Sequence, residues 1–209
     1  MICDEALASL GGLRQEEVVN PLDEFRRWFD EAVKKGLSQP EAMAFATSVE
    51  GRSSVRFLLM RGIDANGIRF YTNKESRKAR DLATNPFASA AFFWEPLGKQ
   101  VRMEGRVEEL SDAENDAYFR TRPRDHQLGA WASPQSSPIS RENLAQRYAE
   151  AEKRFEGGPV QRPPHWGGYR LVVDHVELWT MQPSRLHIRE IFTLEGGPGG
   201  RWSAEVVGP

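Results

Sequence analysis

A single cysteine, Cys3, is all the thiol chemistry in this chain of 209 residues. One thiol forms no internal disulfide, and a reducing compartment is the simplest setting. No stretch approaches the roughly 20 apolar residues needed to span a bilayer. The opening Met1-Ile2-Cys3-Asp4-Glu5 lacks the basic start and apolar run of a secretory signal. A cytoplasmic location is therefore expected. Excess charge is missing too: 28 Lys and Arg against 30 Asp and Glu leave a net −2. No global field draws such a chain to nucleic acid or to an anionic membrane, so any anion site must be a local cluster of Arg and Lys.

Several motifs are also absent. No Gly-x-Gly-x-x-Gly joins a strand to a helix, and there is no Gly-Lys-Ser/Thr phosphate loop or Gly-x-Ser-x-Gly elbow. The histidines His126, His165, His175 and His187 lack the spacing of a metal site. No metal is expected.

What is present is a series of short strands interrupted by helices. Residues 1–19 carry no clear periodicity and read as a flexible arm, with residues 20–209 as a single domain. Asn20-Pro21 opens a helix with Phe25, Trp28, Phe29 and Val33 on one stripe, ended by Gly36. Strand-like runs follow at Met43–Val49, Ser54–Arg61 and Ile68–Thr72, then a short helix at Ser76–Thr84. Two more strands read at Phe87–Trp94 and Gln100–Leu110. Ser111-Asp112-Ala113-Glu114 is a capping box starting a helix to about Arg120. The stretch around Arg122–Trp131 reads as a turn, and Ser140 caps a polar helix to about Phe155. The tail reads as strands over Tyr169–Met181, Leu186–Leu194 and Trp202–Val207. Without regular β-α alternation, this is an α+β protein, mainly β: an antiparallel barrel with peripheral helices.

The chemistry-bearing signals are basic residues in unusual places. Ser76-Arg77-Lys78 sits at a helix start, where the macrodipole already adds partial positive charge. A phosphate bound by free N–H groups and both side chains explains this, and so does a solvated helix start. Arg56 lies within the body of an apolar run and needs a partner if buried. With Arg61 five positions on along one strand, the two would point to opposite faces. Arg120, Arg122 and Arg124 form a basic knot before Trp131. Arg185, His187 and Arg189 share a parity, so on one strand they face the same way and resemble a binding face more than core or bare surface.

These residues resemble a known family. Arg56-Phe57-Leu58-Leu59, Phe70-Tyr71-Thr72-Asn73, Ser76-Arg77-Lys78, Arg122-Pro123-Arg124-Asp125, Gln135-Ser136-Ser137, Trp166-Gly167-Gly168 and Arg185-Leu186-His187 occur in the order seen in the pyridoxamine 5′-phosphate oxidase family. The resemblance runs from about Gly12 to the C-terminus. It implies an FMN-binding split β-barrel and a homodimer with FMN at the subunit interface. It also implies oxidation of pyridoxamine or pyridoxine 5′-phosphate to pyridoxal 5′-phosphate, with dioxygen as acceptor and hydrogen peroxide as product. By position, Arg56, Arg77 and Lys78 would hold the FMN phosphate, and Phe57, Leu58, Leu59, Tyr71 and Thr72 would line the FMN site. Gln100, Gln135, Ser136, Trp179 and Arg189 would contact the flavin, some from the other subunit. Arg61 takes the position of a lysine that contacts FMN and substrate. Tyr118, Arg122 and His126 fall where the substrate phosphate binds. Arg185 and His187, the catalytic pair, would hold the pyridine ring over the flavin.

The chain departs from the family pattern in four places. Arg61 stands for lysine, His126 for serine and Ile188 for an acidic residue, and the ending Val206-Val207-Gly208-Pro209 lacks the customary Arg-Leu. An FMN oxidase acting on a non-B6 substrate, of the phenazine-biosynthesis type, is the alternative. A non-catalytic flavin- or pyridoxal phosphate-binding protein is another.

Overall fold

Asn20 caps the first helix, α1 (Pro21–Lys34), by accepting a 3.0 Å hydrogen bond from the Leu22 amide. Pro21, with no N–H to leave unpaired, fits the first helical position. The computed structural model describes residues 20–209, so the expected arm over residues 1–19 lies outside the described residues. Phe25, Trp28 and Ala32 face the core, whereas Val33, expected on the stripe, is 51% exposed. At 3.6 residues per turn, position 32 returns nearly beneath Phe25 and position 33 overshoots.

The strands β1 (Ala42–Val49) and β2 (Arg52–Leu59) form a hairpin closed by Glu50 and Gly51. Both turn residues have positive φ, 51° and 76°, the twist that suits a two-residue connection. β2 ends at Leu59, two residues before the expected Arg61. Arg61 instead lies in the link to β3 (Gly62–Asp64), its amide donating to the Arg69 carbonyl at 2.7 Å. Arg56 and Arg61 therefore do not share a strand. Next come β4 (Gly67–Asn73), α2 (Arg77–Thr84), β5 (Phe87–Trp94) and β6 (Lys99–Glu109). Ser111 and Glu114 complete the capping box of α3 (Asp112–Thr121). The stretch read as a turn is mostly a helix, α4 (Arg124–Ala132), with Leu128 and Ala132 buried. Gly129 and so narrow an apolar stripe hid it. α5 (Arg141–Arg154), β7 (Trp166–Thr180), β8 (Ile188–Glu195) and β9 (Arg201–Val207) complete the chain.

All strand pairs are antiparallel, in the order β2-β1-β5-β6-β7-β4-β3, with β8 and β9 added beside β7. The sheet is not closed by hydrogen bonds, since the path ends at β2 and β3. One edge of β7 pairs with β4 over Trp166–Val172 and with β8 over His175–Thr180, which divides the sheet into two wings. Opposite the step from Glu104 to Gly105, β7 carries Asp174 as an extra residue. The bulge changes the inward series from Tyr169, Leu171, Val173 to Val176, Leu178. Gly105 is required there, because a Cβ would lie 1.9 Å from the Val172 carbonyl oxygen.

The wrapped sheet and α1 enclose one core, with Phe25, Phe45, Phe70, Phe92 and Met103 fully buried. A smaller apolar cluster, including Phe119, Leu128, Phe155 and Trp166, joins the helices α3–α5 to the start of β7. Among the described residues no helix is long and apolar enough to cross a membrane.

Candidate functional site

The expected residues fall into three groups. The first gathers at the start of α2. Lys78 is 5% exposed, and its Nζ donates to Thr72 Oγ1 and Ser76 Oγ, each at 3.0 Å, and to Gln135 Oε1 at 3.4 Å. All three acceptors are neutral. Burial, reinforced by nearby Arg56 and only partly offset by Asp81, pushes the Lys78 ammonium down to about 8. Ser76 occupies the N-cap position of α2, but its hydroxyl serves Lys78 and does not cap the helix. The Arg77 amide instead donates to Ser136 Oγ at 3.3 Å, with Ser136 in a left-handed conformation (φ 67°).

Arg56 reaches the same place from β2, across the hairpin. It donates to the Phe45 carbonyl at 3.2 Å, Thr47 Oγ1 at 2.9 Å and Ser54 Oγ at 2.9 Å. Asp81 Oδ2 lies 3.7 Å from Arg56 and 4.0 Å from Arg77, and accepts from Thr47 Oγ1 at 2.7 Å. One carboxylate thus answers two guanidinium groups, and no acidic residue stands in the first turn of α2. A helix N-terminus, a buried ammonium and two guanidiniums sharing one carboxylate form a donor set that fits a phosphate. Thr47 and Asp81 were not legible as members, because their pairing with Arg56 exists only once β1, β2 and α2 come together.

The second group lines a cavity of about 530 Å³: Arg61, Tyr118, Arg122 and His126, with Phe57, Leu58, Leu59 and Tyr71 on its wall. Tyr71 and Tyr118 stack at 3.9 Å between ring centroids. Arg122 Nη1 is buried and has no hydrogen-bond partner among the described residues. Burial, together with the like charge of Arg61, pushes the Arg122 guanidinium down from its ordinary value. A buried donor of this kind fits an anionic ligand group. Arg61 also has Glu41 at 3.6 Å.

The third group lies on the β6-β7-β8 wing. Gln100, Trp179 and Arg189 occupy one row across the three strands. Arg189 holds Glu177 through two hydrogen bonds, at 2.9 and 3.2 Å, and donates to the Gly208 carbonyl at 3.0 Å. Glu177 is buried, and Arg189 and Arg102 hold its carboxyl below the usual carboxylate range. The shared-parity expectation for Arg185, His187 and Arg189 does not hold, since only Arg189 lies on β8. Pro183 has no N–H, and Ser184 and Arg185 both have positive φ (58° and 63°), so the chain turns there. His187 still reaches Trp179, with ring centroids 4.6 Å apart, while Arg185 is exposed and unpaired among the described residues.

The architecture matches known split barrels. A structure of PhzG from Burkholderia lata, in complex with tetrahydrophenazine-1-carboxylic acid, superposes with a TM-score of 0.86 at 31% identity, covering 93% of this chain and 95% of that one. A pyridoxamine 5′-phosphate oxidase-related, FMN-binding protein of Nostoc punctiforme shares the fold, with a TM-score of 0.71 at 19% identity and 88% and 97% coverage. The fold class is therefore the split barrel. Residues 29–154 match the family model described as pyridoxamine 5′-phosphate oxidase, and residues 166–209 match the pyridoxine 5′-phosphate oxidase C-terminal dimerisation region. A pyridoxine/pyridoxamine 5′-phosphate oxidase of Cupriavidus necator is 50% identical over 203 residues, covering 96% of this chain and 94% of the relative. One from Rubrobacter xylanophilus is 47% identical over 208 residues, covering 94% and 95%. The chain belongs to the pyridoxamine 5′-phosphate oxidase family.

Proposed function

We propose that this chain is an FMN-dependent oxidase that converts pyridoxamine 5′-phosphate and pyridoxine 5′-phosphate to pyridoxal 5′-phosphate, with dioxygen as acceptor and hydrogen peroxide as product, the amine substrate also consuming water and releasing ammonia. The observation that carries this reading is the pair of anion-ready sites on neighbouring residues of β4. Thr72 borders the cradle of Lys78 and Arg56, and Tyr71 borders the cavity of Arg61 and Arg122. A phosphorylated cofactor and a phosphorylated substrate fit that arrangement.

In this reading Arg56, Arg77, Lys78, Thr72, Gln135 and Ser136 hold the FMN phosphate and the chain beyond it. Phe57, Leu58, Leu59 and Tyr71 form the wall against which the flavin lies. Bound FMN would supply a two-electron acceptor for the hydride leaving the substrate C4′ carbon and an outlet for those electrons to dioxygen. Arg122, Tyr118, His126 and Arg61 bind the substrate phosphate and fix its distance from the ring. Arg185 and His187 orient the pyridine.

A homodimer completes the site. Val55, Phe57, Phe87 and Phe93 are exposed apolar residues on the outer face of β2 and β5, a row that favours a partner surface. The match of residues 166–209 to a dimerisation region supports the same reading. Gln100, Trp179, Arg189, Arg185 and His187 then serve a flavin site shared with the second copy. The chain's single cysteine suits a cytoplasmic setting.

His126 favours one second reading, an FMN oxidase for a different ring, since its imidazole adds bulk where the family has serine. Assays of pyridoxal 5′-phosphate and peroxide formation from pyridoxamine 5′-phosphate test the proposal. Stoichiometric appearance of both supports it, and FMN-loaded protein that forms neither rejects it.

A further inference from the structure

The Trp166-Gly167-Gly168 run opens β7, and none of its residues has a role in the reading above. We infer that Trp166 is a positioning residue for the anion pocket: its indole face holds the Arg122 guanidinium uncommitted, with Nη1 buried, ready for a phosphate. This deepens the proposed function and rests on it, because the pocket is the one assigned to the substrate phosphate.

Arg122 Cζ lies 4.9 Å from the Trp166 ring centroid and 5.6 Å from that of Phe119. Among the described residues its guanidinium has no ion pair, and its buried Nη1 has no acceptor. A carboxylate in place of the indole would neutralise the cation and compete with an incoming anion. An aromatic face steadies the charge through its quadrupole but accepts no hydrogen bond in the guanidinium plane, so the donors stay free.

Backbone contacts set this geometry. Arg122 follows the last turn of α3, and Trp166 is tied to that same helix from both sides. Arg162 donates to the Trp166 carbonyl at 2.8 Å while gripping Asp112 at 2.8 Å and Asp116 at 2.5 Å, both on α3. The fully buried Asn115, also on α3, accepts from the Gly168 amide at 2.7 Å and donates to the Leu110 carbonyl at 3.1 Å.

The two glycines clear the space. A Cβ on Gly168 would lie 2.5 Å from Tyr71 Cε1, and one on Gly167 would lie 2.4 Å from Lys74 Cε. Tyr71 can therefore lie against the β7 backbone. Its ring is within 8° of parallel to Trp166 and 11° of parallel to Tyr118. Trp166 thus sets the attitude of both the tyrosine wall and the arginine.

The test uses FMN-loaded full-length protein, with binding of pyridoxal 5′-phosphate and of inorganic phosphate measured by equilibrium dialysis, so no turnover is needed. Trp166→Leu, Trp166→Phe and Arg122→Ala are compared singly, and each Trp166 change is combined with Arg122→Ala. We expect Trp166→Leu to weaken pyridoxal 5′-phosphate about tenfold and Trp166→Phe about threefold, with flavin content retained. On the Arg122→Ala background either change should cost less than about twofold, since the coupled partner is gone. If Trp166→Leu sheds its flavin through misfolding, the Trp166→Phe cycle decides alone.

Equal losses in both backgrounds, no loss in either, or probe binding that ignores Arg122→Ala in the parent would overturn the inference. A parent that binds both probes through Arg122, yet keeps its flavin oxidised with pyridoxamine 5′-phosphate, would refute the proposed function and leave this assignment standing. Reduction of the flavin without Trp166–Arg122 coupling would refute this assignment alone.

Discussion

Lys78 Nζ donates to Thr72 Oγ1 at 3.0 Å, so an ammonium at the start of α2 rests on a hydroxyl at the end of β4. That contact joins helix and sheet at the proposed cofactor phosphate, and it gives the site a pH signature. The Lys78 pKa is about 8 in the fold against 10.5 ordinarily. Between those values the unfolded chain binds more protons, so apoprotein stability should rise with pH across the window; below it the full cost of the buried charge is present. A phosphate dianion reverses the preference and favours the protonated amine. FMN affinity should therefore fall above pH 8, by up to about tenfold per unit. Lys78→Met should bind FMN more weakly and with a flatter profile. FMN fluorescence quenching from neutral to about pH 10 checks this, and identical profiles for parent and variant would refute the role of Lys78.

Arg56 and Arg77 should not be equivalent. Arg56 is fixed by three hydrogen bonds, whereas the Arg77 side chain is 62% exposed and 4.0 Å from Asp81. Arg56→Ala should cost FMN binding about 1.5–3 kcal/mol, as for a charged hydrogen bond. Arg77→Ala should cost less, about 1 kcal/mol or below, because solvent screens an exposed charge. Calorimetric FMN titration of both variants would reveal a reversed order, which would contradict the geometry.

Glu177 should act as the buried anchor of Arg189. Its pKa is lowered by that guanidinium first and by Arg102 as well, so its contribution to stability is present above the ordinary carboxylate range and is lost as pH falls through its folded value. Glu177→Gln should destabilise the protein by about 1–3 kcal/mol at neutral pH, and the deficit should shrink in acid. Thermal melts at both pH values test this. A deficit that is constant with pH would mean Glu177 acts through packing alone.

Phe57 is 79% exposed on β2 and also lines the proposed substrate cavity. Sedimentation of the parent should give twice the chain mass, and Phe57→Glu should shift it towards the monomer and weaken FMN binding. A monomeric, flavin-loaded parent would remove the homodimer from the account.

Helix starts were legible in the sequence because capping is local. Asn20-Pro21 and Ser111 with Glu114 sit where their spacing puts them. The Met43–Val49 and Phe87–Trp94 strands were legible as short strand-like runs, and burial alternates along both. The turn at Pro183–Arg185 was not, because positive φ at Ser184 and Arg185 contradicts the preferences of both residues. α4 was missed for want of a broad apolar stripe. Within the site, Arg122, Tyr118 and His126 were reachable through motif order and do share one cavity. Thr47, Asp81 and Glu177 carried no local signal; each has meaning only through a partner brought to it by sheet pairing or a packed helix.

The proposed oxidase passes electrons from a B6 phosphate ester to a flavin held by this chain. The most direct measurement is the visible absorbance of the FMN-loaded protein, before and after anaerobic addition of pyridoxamine 5′-phosphate, and again after air is admitted. The flavin bands should bleach and then recover fully with oxygen. A bound flavin that stays oxidised throughout would contradict the proposed activity.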